Sequence, residues 1–151
     1  MKTLKDLLTE KTIKLQATAA DWKEAVRIGG NLLVEAGAVT PEYVDAMISF
    51  TEELGPYVVI APGLAIPHAR PDAGVIEVGF SLVTLATPVA FGMPENDPVE
   101  VLFSFGAPDN EAHVEALREV AMLCSNEALF RAIREAERVE TILELLDNRG
   151  D

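Results

Sequence analysis

Apolar and polar positions alternate along this chain in two rhythms. Ile13 and Leu15 point one way between Thr12 and Gln16 and predict a first strand. A short helix is expected ahead of it over Thr3 to Leu8, with Leu4, Leu7 and Leu8 on one face. Asp21 reads as an N-cap. Trp22, Ala25, Val26, Gly29, Leu32, Leu33 and Ala36 then recur at helical spacing until Gly37. A second helix opens at Thr40-Pro41, carries Tyr43 or Val44, Met47, Ile48 and Leu54 on its apolar face, and closes at Gly55-Pro56. Val75 to Leu85 predicts a strand in which Val78, Phe80 and Leu82 alternate with Gly79, Ser81 and Val83, and both sets suit burial. Thr87 to Pro98 holds three prolines and Gly92 and predicts a loop, with a short strand at Val89 to Phe91. Val99 to Phe105 alternates again. Asp109 or Asn110 caps the next helix, whose inner face is expected through Val114, Leu117, Ala121 and Cys124. Ser125 is the expected cap of a helix through Leu129, Phe130 and Ile133. A last helix carries Val139, Ile142, Leu143 and Leu146, with fraying from Asn148. The order β-αα-βββ-ααα predicts an α/β fold with helices on both faces of a mixed sheet.

Two details depart from plain patterning. Gly29-Gly30 lies inside a helix, where each glycine costs about 1 kcal/mol against alanine, so a close-packing site is expected there. The second detail is the stretch from Gly55 to Pro71, which holds four prolines in seventeen residues and excludes a regular helix. Tyr57 to Ala61 is a buried strand by its β-branched composition, Pro62-Gly63 interrupts it, and Leu64 to Ile66 resumes it. Pro67 and Pro71 stiffen the chain on either side of His68 and Arg70. Those two side chains project to the same side if the segment stays extended. Imidazole is a nucleophile near neutral pH, and a guanidinium can grip phosphate oxygens in bidentate fashion. The plainer reading of His68 is a histidine on a surface loop.

Composition narrows the choices. The chain has 151 residues, 49% of them apolar, which fits one domain over 1–151 with a sizeable core. No apolar run approaches the ~20 residues that span a bilayer. The start has no long apolar segment of the secretory kind. That absence and the single cysteine lead us to expect a reducing cytoplasm. Cys124 falls in an apolar helical pattern and reads as core packing. A net charge of −13 repels nucleic acid and anionic membranes and suits a basic protein partner, or simply keeps the chain soluble.

Gly63-Leu64-Ala65-Ile66-Pro67-His68 resembles the phosphorylation-site motif of the fructose/mannitol-type (type 2) enzyme IIA proteins of the bacterial phosphoenolpyruvate-dependent sugar phosphotransferase system. The longer string from Gly55 to Pro71, Gly79 to Leu85 and Asn96-Asp97-Pro98-Val99 is most similar to the L-ascorbate-specific branch. The likeness runs through nearly the whole chain. It implies a three-layer α/β/α sandwich and a phosphotransferase role. His68 would attack the phosphoryl group of phospho-HPr, form a phosphohistidine on Nε2, and pass the group to a cysteine of enzyme IIB. The sugar would enter through enzyme IIC in the membrane. No cofactor or metal is implied, and two histidines with one cysteine make no zinc spacing.

His113 is the second histidine, in the first turn of its helix directly after the cap. Free amides and the positive dipole end favour an anion there and should lower its pKa. By spacing alone it is a half-exposed helix residue; the resemblance makes it the phosphoryl-stabilising neighbour of His68. Arg70 and the amides before His113 are the further candidates for holding phosphate. One position departs from the mannitol-type pattern: its arginine sixteen residues ahead of the active histidine is Glu52 here. An acid facing phosphate is unfavourable, so Glu52 should point elsewhere, with Arg70 as the natural replacement. Two alternatives remain: a regulatory enzyme IIA-like domain phosphorylated on His68, and a non-enzymatic binding module. A serine hydrolase is disfavoured because no Gly-x-Ser-x-Gly elbow is present.

Overall fold

The computed structural model describes residues 4–149; Thr3, at the start of the first expected helix, lies outside them. The elements in order are α1 (Leu4–Leu7), β1 (Ile13–Ala17), α2 (Trp22–Glu35), α3 (Pro41–Leu54), β2 (Val59–Ala61), β3 (Leu64–Ala65), β4 (Gly79–Val89), β5 (Val99–Gly106), α4 (Asn110–Cys124), α5 (Glu127–Glu135) and α6 (Val139–Arg149). Of the residues from Asn148 on, where fraying is expected, Gly150 and Asp151 lie outside the described residues, and α6 continues to Arg149.

The five strands form one mixed sheet in the order β1-β4-β5-β3-β2. β1 runs parallel to β4, β4 antiparallel to β5, and β5 parallel to β3. The expected order holds, with the first of the three central strands folded at Pro62-Gly63 into two arms, β2 and β3, that pair antiparallel. Asn96 steadies this hairpin from the 91–98 loop: its carbonyl accepts from the Gly63 amide at 2.9 Å and its Nδ2 donates to the Val59 carbonyl at 3.3 Å. Asp97 folds the loop on itself by accepting from the amides of Phe91, Gly92 and Met93 at 2.8–2.9 Å.

Two apolar clusters flank the sheet. α2 and α3 contribute Ala25, Val26, Leu33, Tyr43 and Met47 to one, and α1, α4, α5 and α6 contribute Leu4, Ala116, Val120, Ile133 and Ile142 to the other. This is the three-layer α/β/α arrangement. Residues 79–85 are buried on both faces, as their composition leads us to expect. The strand is shifted, however: it begins at Gly79 and runs to Val89, absorbing the short strand expected at Val89. Val75 makes only an isolated bridge to Val39, and Asp72 lies in a single 3₁₀ turn, Pro71–Ala73.

Helix ends follow side-chain chemistry, with two corrections. Asp21 caps α2 by accepting from the Glu24 amide at 2.9 Å. Pro41 is the first residue of α3, yet Thr40 makes no side-chain cap bond. α5 is capped by Asn126 rather than Ser125: the Asn126 amide oxygen accepts from the Leu129 amide, while the Ser125 hydroxyl donates back to the Met122 carbonyl. Leu54 and Tyr57, expected in the interior, are 48% and 74% exposed. Leu54 is the last residue of α3, and β2 starts two residues after Tyr57, so Tyr57 precedes the strand expected to bury it.

A correction to the buried face of α4 sets up the site. On α4 the buried residues are Ala116, Val120 and Leu123, whereas Val114 is 64% exposed. The inner stripe is therefore His113, Ala116, Leu117, Val120 and Leu123, one residue away from the expected face. Counting His113 as polar displaced the stripe; it occupies an inward position.

Candidate functional site

β3 and β5 are parallel neighbours, so their carboxyl ends open on the same edge of the sheet. His68 follows β3 by three residues and His113 follows β5 by seven. The topology thus brings together two histidines 45 residues apart in sequence. Their ring centroids are 5.2 Å apart and the rings meet edge-on at 74°.

His68 is held on several sides. Pro67 fixes its own φ, and its carbonyl accepts from the Phe105 amide at 3.2 Å, tying the segment to β5. The Ile66 carbonyl lies 2.7 Å from His68 Nδ1. A carbonyl only accepts, so Nδ1 carries the proton and the lone pair is on Nε2. The Phe105 ring stacks on the imidazole at 4.8 Å and 24°, and the Phe50 ring of α3 lies 5.5 Å away. Phe105 also meets the His113 ring at 5.2 Å, edge-on. Phe105 is thus the floor that both histidines share.

Burial depresses both imidazole pKa values below the ordinary 6.5. For His68 desolvation is the largest cause; the hydrogen bond to Ile66 opposes it, and His113 lowers it further. For His113 the cause is desolvation. The lowering expected from the helix end is therefore present, with burial as its origin. Both rings are neutral at neutral pH, which leaves Nε2 of His68 free as a nucleophile.

His113 is the fourth residue of α4, not the one directly after the cap. Asp109 caps the helix: its carboxylate accepts from the Ala112 amide at 2.8 Å, and its carbonyl accepts from the His113 amide. Of the amides before His113, Ala112 is thereby taken, and among the described residues those of Asn110 and Glu111 are unengaged. Arg70 is exposed and caps the 3₁₀ turn, its carbonyl accepting from the Ala73 amide at 3.0 Å, while its guanidinium has no hydrogen bond or ion pair among the described residues. It lines a cavity of about 290 Å³ with Ser49, Phe50, Ala69 and Asp72. His68 packs on Phe105, whereas Arg70 is exposed two residues on. Glu52 pairs with Lys23 of α2 at 2.8 Å.

Sequence reasoning passed over Phe50, Phe105 and Tyr43 as site residues, because each sits in an ordinary apolar rhythm. The Tyr43 hydroxyl is buried among the Ala69 amide at 2.9 Å, the Phe105 carbonyl at 3.0 Å and the Ala69 carbonyl at 3.3 Å. Cys124 is half-buried among apolar neighbours, and burial pushes its thiol up to about 12, which suits packing rather than nucleophilic work. Among the described residues no group of three or more His, Cys, Asp or Glu side chains is arranged to hold a metal, and no helix is long and apolar enough to cross a membrane.

Comparison with known proteins gives the family. Residues 6–149 match the family model described as phosphoenolpyruvate-dependent sugar phosphotransferase system, EIIA 2. The chain is 44% identical over 148 residues to the ascorbate-specific phosphotransferase-system EIIA components of Salmonella choleraesuis (strain SC-B67) and Escherichia coli (strain K12), covering 97% of this chain and 96% of each relative. Among solved structures it is similar to the complex of mannitol enzyme IIA with phosphorylated mannitol enzyme IIB from Escherichia coli. That likeness has a TM-score of 0.84 and 29% identity over 95% of this chain and 100% of that one. The chain belongs to the type 2 enzyme IIA family of the phosphoenolpyruvate-dependent sugar phosphotransferase system, whose members are phosphocarriers in sugar uptake.

Proposed function

We propose that His68 is the phosphoryl acceptor of this enzyme IIA, and that residues 1–151 act as one cytoplasmic phosphocarrier domain. The observation that carries the assignment is the hydrogen bond from His68 Nδ1 to the Ile66 carbonyl, which leaves the Nε2 lone pair for attack. Nε2 attacks the phosphorus of phospho-HPr, and the donor N–P bond breaks with its electron pair returning to the donor ring. The product keeps Nδ1–H bonded to the Ile66 carbonyl, so its ring carries a positive charge that the attached phosphoryl oxygens balance. His113 donates one N–H to a phosphoryl oxygen, and the free amides of Asn110 and Glu111 and the Arg70 guanidinium supply further neutralisation. The group then passes to a cysteine of a cognate enzyme IIB working with enzyme IIC in the membrane.

The sugar is L-ascorbate or a related sugar acid, a reading supported by the names of the relatives at 44% identity over 97% of the chain. Exposed Leu54 and Val114 offer an apolar docking surface beside the two histidines, and the net charge of −13 suits a basic HPr face.

The test is transfer from labelled phosphoenolpyruvate through enzyme I and HPr to wild type, His68→Ala and His113→Ala. Wild type should take label, His68→Ala none, and His113→Ala should take it slowly. Label retained by His68→Ala, or no label on folded wild type with charged HPr, would sink the assignment.

A further inference from the structure

Tyr43 lies on α3, remote in sequence from both histidines, yet its side chain ends under the site. Its ring belongs to the apolar cluster between α3 and the sheet, and the residue is 0% exposed. Phenylalanine would fill that volume without burying an oxygen. The oxygen is present and engaged: it accepts from the Ala69 amide at 2.9 Å and lies 3.0 Å from the Phe105 carbonyl and 3.3 Å from the Ala69 carbonyl, to which its single proton can be donated. Burial pushes the phenol up to about 12, so it keeps that proton.

Both residues it holds are neighbours of the nucleophile. Ala69 follows His68 directly, and Phe105 stacks on the imidazole at 4.8 Å. The segment from Pro67 to Arg70 lies outside any strand or helix and cannot rely on a ladder for its position. Pro67 is anchored through the Phe105 amide on one side of His68. On the other side the Tyr43 hydroxyl is the hydrogen-bond partner described for the Ala69 amide.

We infer that Tyr43 is a positioning residue for phosphoryl transfer: its buried hydroxyl pins Ala69 to Phe105, and so holds the His68 ring between a fixed backbone and a fixed floor. The inference rests on the assignment of His68 as acceptor. Tyr43 touches neither the nucleophilic nitrogen nor phosphate. It acts through the orientation of the ring, where displacements of about 1 Å cost up to about a hundredfold in rate.

The experiment compares wild type with Tyr43→Phe. The single-turnover rate of label transfer from phospho-HPr is measured over a range of donor concentrations, and the ¹⁵N signals of the His68 ring are recorded without any phosphoryl donor. We expect the saturating rate to fall roughly tenfold, the half-saturating phospho-HPr concentration to hold, and the His68 Nδ1–H signal to shift or broaden. A purely structural role would lower the melting temperature and leave rate and ring signals unchanged. A folded Tyr43→Phe protein with wild-type rate and wild-type ring signals overturns the inference.

Should Tyr43→Phe fail to fold, 3-fluorotyrosine replaces both tyrosines. Tyr57 is 74% exposed and serves as a silent site. The fluorinated phenol is a weaker acceptor for the Ala69 amide, so a smaller rate loss and a shifted His68 signal are expected at unchanged melting temperature; no change in either overturns the inference. The ring signals need no phosphoryl transfer, so a wild type that takes no label removes the acceptor assignment separately.

Discussion

A buried imidazole in this site is kept neutral by the cost of taking its charge out of water. Desolvation dominates at both His68 and His113, and each has a pKa below 6.5. Only the neutral form of His68 offers a lone pair on Nε2, so phosphoryl acceptance should hold level as pH falls toward about 6.5 and decline only below it. A transfer profile that already collapses above that value would contradict this environment for His68. Stability follows the same linkage. The unfolded chain protonates its histidines near about 6.5, and the folded site does so at lower pH. The contribution of the neutral, buried ring is full above the unfolded value and is lost as pH falls through the folded one. Wild type should therefore lose more melting temperature than His68→Gln between about pH 7.5 and about pH 5, read by calorimetry. Other acidic groups cancel in that difference.

At the scale of elements, α2 sits on β4 and β5 closely enough that one glycine decides the contact. A Cβ at Gly29 would stand 2.5 Å from Ser104 Oγ, 3.4 Å from Ser104 Cβ and 3.4 Å from Ser81 Oγ. At Gly30 it would meet Val44 Cγ1 of α3 at 2.9 Å. The helical glycine pair is thus the close-packing site that its cost in propensity implied. Ser81 donates to the Gly29 carbonyl at 2.8 Å, but Ser104 Oγ is buried with no hydrogen-bond partner among the described residues. Gly29→Ala alone should destabilise by about 1–3 kcal/mol through overpacking. Ser104→Ala removes the obstructing oxygen, and one that gains nothing from its burial. In the double variant the alanine meets only the Cβ of residue 104 and Ser81 Oγ, each at 3.4 Å, so most of the loss should return, together with up to about 1 kcal/mol of helix propensity. Urea denaturation of the four proteins measures the coupling. Additive losses would show that the oxygen is not what limits the approach of α2.

Over the whole molecule the net charge is −13, and the proposed site follows two parallel strands with the exposed Arg70 and the start of α4 nearby in the chain. Such a surface favours encounter with a basic donor at long range and leaves the chemistry to local contacts. Transfer from phospho-HPr should slow several-fold as the screening length contracts from about 10 Å at 0.1 M salt to about 3 Å at 1 M. The loss belongs in the concentration-dependent part of the rate, with the saturating rate much less affected. A salt-independent encounter rate would show that apolar contacts near Leu54 and Val114 dominate docking. The Glu52–Lys23 pair is consistent with this division. It fastens α3 to α2 between roughly half-exposed side chains, where such a pair contributes little to stability.

Much of this was legible from local pattern. The Ile-Pro-His segment marked His68 as the candidate acceptor through its resemblance to the family motif, since proline stiffness and imidazole chemistry by themselves also fit a histidine on a surface loop. The helices of both layers and the doubly buried β4 followed from periodicity. The single inward histidine of α4 did not, because a polar residue type conceals an apolar position until the partner surface is known. Phe50, Phe105 and Tyr43 were unreadable as site residues for the converse reason: an aromatic in an apolar rhythm looks the same whether it fills a core or supports a reacting ring. By itself, then, the sequence determined the elements, the α/β class, the acidic surface and the His68 motif, all of which depend on neighbours in the chain. Only the tertiary structure decided that β3 and β5 end side by side. That pairing places His113 against His68, gives both rings one aromatic floor, and lowers their pKa values by burial, since these properties depend on contacts between residues distant in sequence.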